Sequence, residues 1–301
     1  MTDSTVEEIT DHAAADGHAN DAIVVHNLSK RYGTHPALDD VSLVVPAGSV
    51  CGLIGPNGAG KSTLMSIVAT LLAPSAGSAM VFGHPITRTA AVRKLLGYVP
   101  DVLGTYAGLT VVEYLTFFAD AYRIPRAERE GLIDGLLELV DLDSKRDADV
   151  NTLSRGMKQR IGLARGLIHQ PKLLILDEPA SGLDPRARVE LRDIILHLQS
   201  IGVTVLISSH ILSELEEMCS HAVVLEQGRL VGFENLKADS VRLVEVVYLG
   251  GERESFTVAD EAEQVDLVRR LVNEGREVVS VSEAVTGLEE RFLRLTKGNL
   301  N

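Results

Sequence analysis

Residues 55–63 read Gly55-Pro56-Asn57-Gly58-Ala59-Gly60-Lys61-Ser62-Thr63 and match G-x-x-x-x-G-K-[ST], a pattern typical of loops that hold phosphate groups. The apolar run at 49–54 before the loop predicts a buried strand, and apolar residues at helical spacing follow it. The loop therefore stands between a strand and a helix, which is the context that the pattern requires. The alternative is a glycine-rich turn on a core strand, and the flanking segments make it the weaker interpretation.

Each residue type in this loop has a physical reason to be present if phosphate binds there. Glycines let the backbone fold tightly, so that its N–H groups point at an anion. The helix that begins near Lys61 adds the positive end of its dipole. Lys61 supplies a point charge for the β- and γ-phosphates of a nucleotide, and the Ser62 hydroxyl is a hard oxygen ligand for Mg²⁺.

The overall composition limits the class of protein. With 301 residues and 45% hydrophobic content, the chain can bury one large core, or one core and a small satellite. Its formal net charge of −13 argues against a nucleic-acid surface and against a basic membrane-binding patch. No apolar run approaches the length of a membrane span, and the N-terminus lacks the pattern of a signal peptide. Cys51 lies in an apolar segment and is expected to be a buried thiol. Because neither a membrane span nor a signal peptide is found, the sequence predicts a soluble, cytosolic chain.

Two carboxylates follow a second apolar segment. The four apolar residues at 173–176 predict a strand covered on both faces, as in a parallel sheet. Asp177 and Glu178 come next, where ligands bind in open α/β sheets. Asp177 could simply form a turn at the strand end, but a metal on bound phosphates needs a second anionic anchor. Glu178 is placed to accept a proton from an attacking water.

Two further side chains, Tyr32 and His210, have both a structural and a functional interpretation, and a third, Ser154, has by itself only a structural one. Tyr32 could be a half-buried strand aromatic or a stacking face for an adenine ring. His210 follows the predicted strand at 203–207 and could cap the next helix or contact a γ-phosphate. Ser154 is a plausible N-cap for a helix whose apolar face continues to residue 168.

The two ends of the chain differ from its middle. Residues 1–21 are acidic, contain no Lys or Arg, and are expected to form a disordered tail. After about residue 235 the pattern changes to short alternating strands around a helix at 261–273. This pattern predicts an accessory α+β domain at 235–301, with a last helix that begins at the capping box at 286–289.

Together, the landmarks from Tyr32 to His210 resemble the nucleotide-binding subunit of an ATP-binding-cassette (ABC) transporter. The loop at 55–63 is similar to the Walker A motif of that family, and Asp177 closes a segment that resembles Walker B. The sequence L-S-R-G-M at 153–157 resembles the family signature, whose usual form is L-S-G-G-Q.

This resemblance implies an α/β fold of the ABC type of P-loop NTPase. Such a fold has a mainly parallel sheet core, an antiparallel β subdomain and a helical subdomain, and here it would occupy residues 22–234. The helical subdomain would lie at about 105–170. The small C-terminal α+β domain would be added to this cassette.

The resemblance also implies ATP and Mg²⁺ as cofactors and assigns roles to the candidate residues. Glu178 would be the catalytic base, His210 the switch histidine, and Lys61 a further catalytic group. Mg²⁺ would be held by Ser62, Asp177 and Asp101. The nucleotide contacts would come from Tyr32, residues 55–63, Asp101, Ser154, Arg155, Gly156 and Asp184, which ends the D-loop.

The sequence departs from the family pattern at two places. Asp101 stands where the family usually has Gln, and a carboxylate can ligate Mg²⁺ but cannot donate a hydrogen bond. In the signature segment, Arg155 and Met157 replace Gly and Gln, while Gly156 is kept. An arginine at position 155 could favour the binding of a phosphate group.

The resemblance implies that two copies, or two nucleotide-binding subunits, pair head to tail. ATP on the Walker A loop of one chain would then be covered by residues 154–156 of the other. Separate integral-membrane subunits are the expected partners, at the cytoplasmic face of the cell membrane, and nucleic acid is not. The run at 109–122 and the C-terminal domain resemble the subgroup that serves ABC-2-type exporters.

Two other functions stay open at the level of sequence. One is a soluble ABC ATPase that acts on DNA or ribosomes. Such relatives usually carry two cassettes or a long coiled-coil insertion. The spacing between Lys61 and Asp177 contains no such insertion, and the sequence holds one cassette. The other is a nucleotide-binding regulator that does not turn over, which the substitutions at Asp101 and Arg155 would allow.

Overall fold

The computed structural model of the protein describes residues 20–104, 106, 108–209, 211–236 and 242–283. The predicted tail up to residue 19, His210 and the predicted last helix after residue 286 lie outside these ranges. The described residues form two compact units that divide between Phe233 and Glu234.

Ten strands and seven α-helices begin within the described part of the first unit. The strands are β1 (Asp21–Tyr32), β2 (His35–Pro46), β3 (Val50–Ile54), β4 (Ala76–Val81), β5 (His84–Pro85), β6 (Leu96–Val99), β7 (Leu173–Leu176), β8 (Thr204–Ser209), β9 (His221–Glu226) and β10 (Arg229–Asn235). The helices are α1 (Lys61–Val68), α2 (Thr89–Leu95), α3 (Val111–Ala121), α4 (Arg126–Leu139), α5 (Arg155–Leu167), α6 (Pro185–Ser200) and α7 (Leu212–Met218). Asp21, which the sequence analysis placed in the tail, is the first residue of β1.

A six-stranded sheet carries the order β10-β9-β3-β8-β7-β6. Strand β3 is parallel to β8 and β9, and β7 is parallel to β8 and β6. Strands β3 and β7 are buried along their whole length, which explains their nearly unbroken apolar runs. Because these strands are parallel, the segments that follow β3, β7 and β8 meet at one edge of the sheet.

A second sheet has the order β2-β1-β4-β5, and its strands pair antiparallel. The apolar faces of both sheets and of α1 share one hydrophobic core, to which α1 contributes Leu64, Met65, Ile67 and Val68. The helix that follows the phosphate loop is therefore anchored between the two sheets.

Helices α3, α4 and α5 lie between β6 and β7 in the chain, in the region of the predicted helical subdomain. Thr110 and Glu113 form a reciprocal capping box at the start of α3, with hydrogen bonds of 3.3 and 2.9 Å. None of the helices in the described ranges is both long and apolar enough to cross a membrane.

The second unit is an α+β structure. Its elements are β11 (Arg242–Tyr248), β12 (Arg253–Val258), α8 (Glu261–Asn273) and β13 (Val278–Glu283), and its antiparallel sheet has the order β12-β11-β13. Alternate residues of β11, namely Val244, Val246 and Tyr248, pack with Leu267 and Leu271 of α8. The alternation thus reflects a sheet covered by a helix on one face.

Candidate functional site

The loop between β3 and α1 lies so close to its neighbours that two of its glycines have no room for a side chain. A Cβ on Gly55 would lie 2.2 Å from the carbonyl oxygen of Leu225 in β9. A Cβ on Gly60 would lie 2.6 Å from the carbonyl oxygen of Ala37 in β2, and the φ of Gly60 is +103°. Glycine tolerates both the contact and the left-handed backbone. The loop is therefore held by packing against both sheets.

Lys61 is the buried cation of this loop, with a side chain only 6% exposed. Its Nζ donates a hydrogen bond to the carbonyl oxygen of Gly55 at 2.7 Å and lies 3.5 Å from Oε1 of Glu178. An ammonium group has three donors, so Lys61 is fixed in the loop while it faces the carboxylate at the end of β7. It is placed to attract a third, anionic group.

Asp177 joins the loop after β3 to the end of β8. Its Oδ1 accepts hydrogen bonds from Oγ of Ser62 at 3.1 Å and from Oγ of Ser208 at 2.8 Å. Ser208 in turn accepts from the backbone N–H of Glu178 at 2.9 Å. The Ser208 hydroxyl therefore orients Asp177 and also the backbone that carries Glu178.

The pair of Ser62 and Asp177 has the chemistry of a magnesium site. Mg²⁺ prefers oxygen ligands and usually takes one or two protein groups together with phosphates and water. A hydroxyl and a carboxylate oxygen 3.1 Å apart match that donor set, and they lie beside the phosphate loop. The residues present therefore fit the ion.

Glu178 adopts a left-handed backbone conformation, with φ of +49°. Non-glycine residues in this region store strain, and such strain is found at functional sites.

The pKa of the Tyr98 phenol is raised, first by burial and then by the negative charge of Asp177. Tyr98 thus stays a neutral phenol near the carboxylate of Asp177.

One open cleft of about 490 Å³ brings together most of the residues predicted to bind nucleotide. It is lined by Tyr32, His35, Ala37, residues 56–63, Asp101, Glu178 and Ser181. The Tyr32 side chain is about half exposed, as a stacking surface for a base must be. The cleft therefore offers an aromatic face at Tyr32 and a buried cation at Lys61.

The predicted signature residues lie in a different recess of about 330 Å³. Ser154, Arg155, Gly156 and Asp184 all line it, and none of them lines the larger cleft. Ser154 caps α5 by accepting a hydrogen bond from the N–H of Met157 at 3.3 Å, and Asp184 caps α6. Within one chain, the candidate site residues thus form two separate groups.

Sequence reasoning missed three residues of this region. His35 and Ala37 line the cleft because β2 passes the phosphate loop, and no local pattern distinguishes them. Ser208 could have been found, because it lies near the end of a predicted strand beside the strand that carries Asp177. His210, predicted to contact phosphate, lies outside the described residues.

Comparisons with known proteins agree with this geometry. The family model described as ABC transporter matches residues 38–181. The Nod factor export ATP-binding protein I of Rhizobium meliloti (strain 1021) is 36% identical over 298 residues, which cover 91% of this chain and 88% of that protein.

Two solved structures are similar along the described fold. One, an ATP-binding subunit of an ABC transporter, has a TM-score of 0.70 and 28% identity, and covers 91% of this chain and 99% of its own. The other, cbiO1 of Clostridium perfringens, is part of the cbiONQ transporter complex. It has a TM-score of 0.66 and 28% identity, and the match covers 73% of this chain and 90% of cbiO1. The fold class predicted from the sequence is confirmed by these likenesses.

Proposed function

Because this chain belongs to the family of ABC transporter ATP-binding proteins and is an ATPase coupled to transport, we propose that it supplies the energy for an exporter. Two nucleotide-binding subunits would close on ATP and reopen after hydrolysis. The proposal is carried by the meeting of Lys61 and Glu178 in one cleft, with Asp177 hydrogen-bonded to Ser62 of that cleft, at the carboxyl ends of parallel strands.

Binding would use both the aromatic face and the buried cation of the cleft. The adenine ring stacks on Tyr32. The β- and γ-phosphates take positions against the N–H groups of residues 58–62 and the ammonium of Lys61. Since Lys61 is already buried and fixed, its charge acts in a medium of low dielectric, where it attracts phosphate more strongly than at an exposed site.

Hydrolysis would depend on Glu178. A water held by this carboxylate attacks the γ-phosphorus, its proton passes to Glu178, and the bond to the β-phosphate oxygen breaks to leave ADP. Ser62 and Asp177 would hold Mg²⁺, which neutralises charge on the phosphates when bound. Ser208 holds the Asp177 carboxylate and the backbone of Glu178 in place.

The second group of residues supports a paired arrangement. Ser154, Arg155 and Gly156 start α5 on the surface, outside the cleft of their own chain. In a head-to-tail pair they would cover the ATP of the other subunit, with the N-terminal end of α5 toward the γ-phosphate. A complete site then needs two chains.

We expect Ser154→Arg to leave ATP binding by the single chain unchanged and to prevent closure, because the larger side chain occupies the space meant for the partner's nucleotide. Nucleotide titration and sedimentation velocity with ATP separate the two effects. Ser144→Arg, in the short helix at Asp143–Lys145, is the control. ATP-dependent dimers of the Ser154 variant would contradict the composite site.

An exposed aromatic surface suits the membrane partner. Tyr106 and Phe117 are about half exposed and pack edge to face with ring centroids 5.2 Å apart. Large exposed apolar groups in one patch are typical of protein contacts. We propose that separate integral-membrane subunits bind this surface at the cytoplasmic face. The export direction is taken from relatives such as the Nod factor export protein.

Copurification tests this part of the proposal. Tagged wild-type protein recovered from solubilised membranes should bring down at least one integral-membrane protein in a fixed ratio. Phe117→Asp should lose that protein, since a charge at the centre of an apolar contact is costly. Ile201→Asp, at an apolar residue after α6 that is 63% exposed against 48% for Phe117, should retain it. Equal recovery with both variants would rule out this surface as the docking site.

A further inference from the structure

Arg155 and Asp101, the two departures from the family pattern, face each other in the structure. Nη2 of Arg155 lies 3.8 Å from Oδ1 of Asp101. Asp101 lines the larger cleft, and Arg155 lines the recess of the signature residues. This ion pair therefore connects the two groups of site residues within one chain.

Gly182 provides the space in which the guanidinium lies. A Cβ on Gly182 would be 2.9–3.0 Å from three atoms of that group, so a larger residue would displace it. The Arg155 side chain thus contacts the segment before α6 and, through Asp101, the segment after β6. Three segments that border the site meet at one arginine.

The ion pair between Arg155 and Asp101 is weak enough for Arg155 to change its partner. At 3.8 Å it is an ion pair but too long for a direct hydrogen bond. The two side chains are 61% and 49% exposed, and such pairs contribute little to stability because water and salt screen them. An anionic group with more charge and a better hydrogen-bonding geometry would therefore displace Asp101 as the partner of Arg155.

A γ-phosphate is such a group. It carries more negative charge than a carboxylate, and arginine can bind it through two parallel hydrogen bonds. The protein has a formal net charge of −13, so two copies repel each other. A cation at the surface where the copies meet would offset part of that repulsion.

We propose that Arg155 exchanges partners when two subunits close, leaving Asp101 of its own chain for the γ-phosphate of the ATP held by the other chain. This inference rests on the proposed function. In the open chain the ion pair holds Arg155 over Gly182. On closure the same charge contacts the group that ATP has and ADP lacks, so Arg155 makes closure selective for ATP.

The experiment measures the ATP concentration that gives half-maximal dimer by sedimentation velocity, in a Glu178→Gln background in which hydrolysis is slowed. Arg155→Ala should raise this concentration by about tenfold or more, because it removes a charge-assisted contact to phosphate. Arg186→Ala is the matched control, since Arg186 lines the same recess but pairs with Glu190 of its own helix. It should change the value less than about twofold, as expected for an exposed pair within one helix.

A double-mutant cycle isolates the exchange. Asp101→Asn should lower the half-maximal ATP concentration by about threefold, the size expected when a surface ion pair no longer has to break. In the Arg155→Ala background the same change should have no such effect. Any contribution of Asp101 to Mg²⁺ binding is present in both backgrounds, so it cancels in the comparison.

The outcomes distinguish the inference from the function on which it rests. If the Glu178→Gln parent stays monomeric with ATP, the proposed function fails and the inference fails with it. If the parent dimerises but Arg155→Ala needs no more ATP, or no more than Arg186→Ala needs, only the inference is overturned. An Asp101→Asn effect of equal size with and without Arg155 also overturns it.

Discussion

Purified Glu178→Gln is expected to bind MgATP about as tightly as the wild type and to release phosphate at least about 100-fold more slowly, since general bases contribute 10²–10⁴-fold. Glutamine has nearly the shape of glutamate but cannot accept the proton of the attacking water. The backbone N–H of residue 178 can still donate to Ser208, so the site should keep its geometry. ATP should then accumulate in closed dimers.

Phosphate release and nucleotide titration, measured on the same preparation, test this expectation. Glu113→Gln is the matched control because glutamine can replace glutamate in the capping box of α3, and hydrolysis should persist. Equal hydrolysis by Glu178→Gln and wild type would remove Glu178 from the mechanism. If both were inactive even with the membrane partner present, a regulator without turnover would be the better interpretation.

Lys61→Ala is expected to weaken MgATP binding by about 100-fold or more, because a hydrogen bond to a charged group contributes about 1.5–3 kcal/mol and the site is buried. The substitution leaves the backbone of the phosphate loop in place. It also removes the ammonium that lies 3.5 Å from Glu178, so repulsion between that carboxylate and the triphosphate adds to the loss.

Calorimetric titration with MgATP gives the affinity, and thermal unfolding followed by circular dichroism shows whether the domain still folds. Lys94→Ala, a lysine in the last turn of α2 outside the cleft, serves as the control and should bind normally. An unchanged affinity in the folded Lys61 variant would show that the phosphates bind elsewhere.

The phosphate loop and the strand before Asp177 could be predicted because their signals are local. The loop needs glycines, a lysine and a hydroxyl at consecutive positions, and a strand buried on both faces needs an unbroken apolar run such as Leu173–Leu176. In both cases neighbouring residues in the chain carry all the information. The prediction of an ABC-type fold rested on several such signals in a fixed order.

Strands β4 and β5 were not predicted, for an equally physical reason. The sequence of β4, Ala76–Val81, contains a glycine and small residues with no clean alternation, so it has little preference of its own. It becomes a strand by pairing with β1, where Val81 lies opposite Ile23. Pairing of this kind depends on which segment lies alongside.

The amino-acid sequence alone determined the chemistry of this protein: a loop able to hold phosphate, carboxylates at the end of a buried strand, and a helix capped by Ser154. These features are encoded by residues next to each other in the chain. Only the tertiary structure decided which of them meet. The order of the parallel strands brings Ser208 within hydrogen-bonding distance of Asp177. Packing places the Arg155 side chain beside Asp101 and Gly182. Such contacts join residues far apart in sequence, and no local pattern specifies them because they depend on how the whole chain folds back on itself.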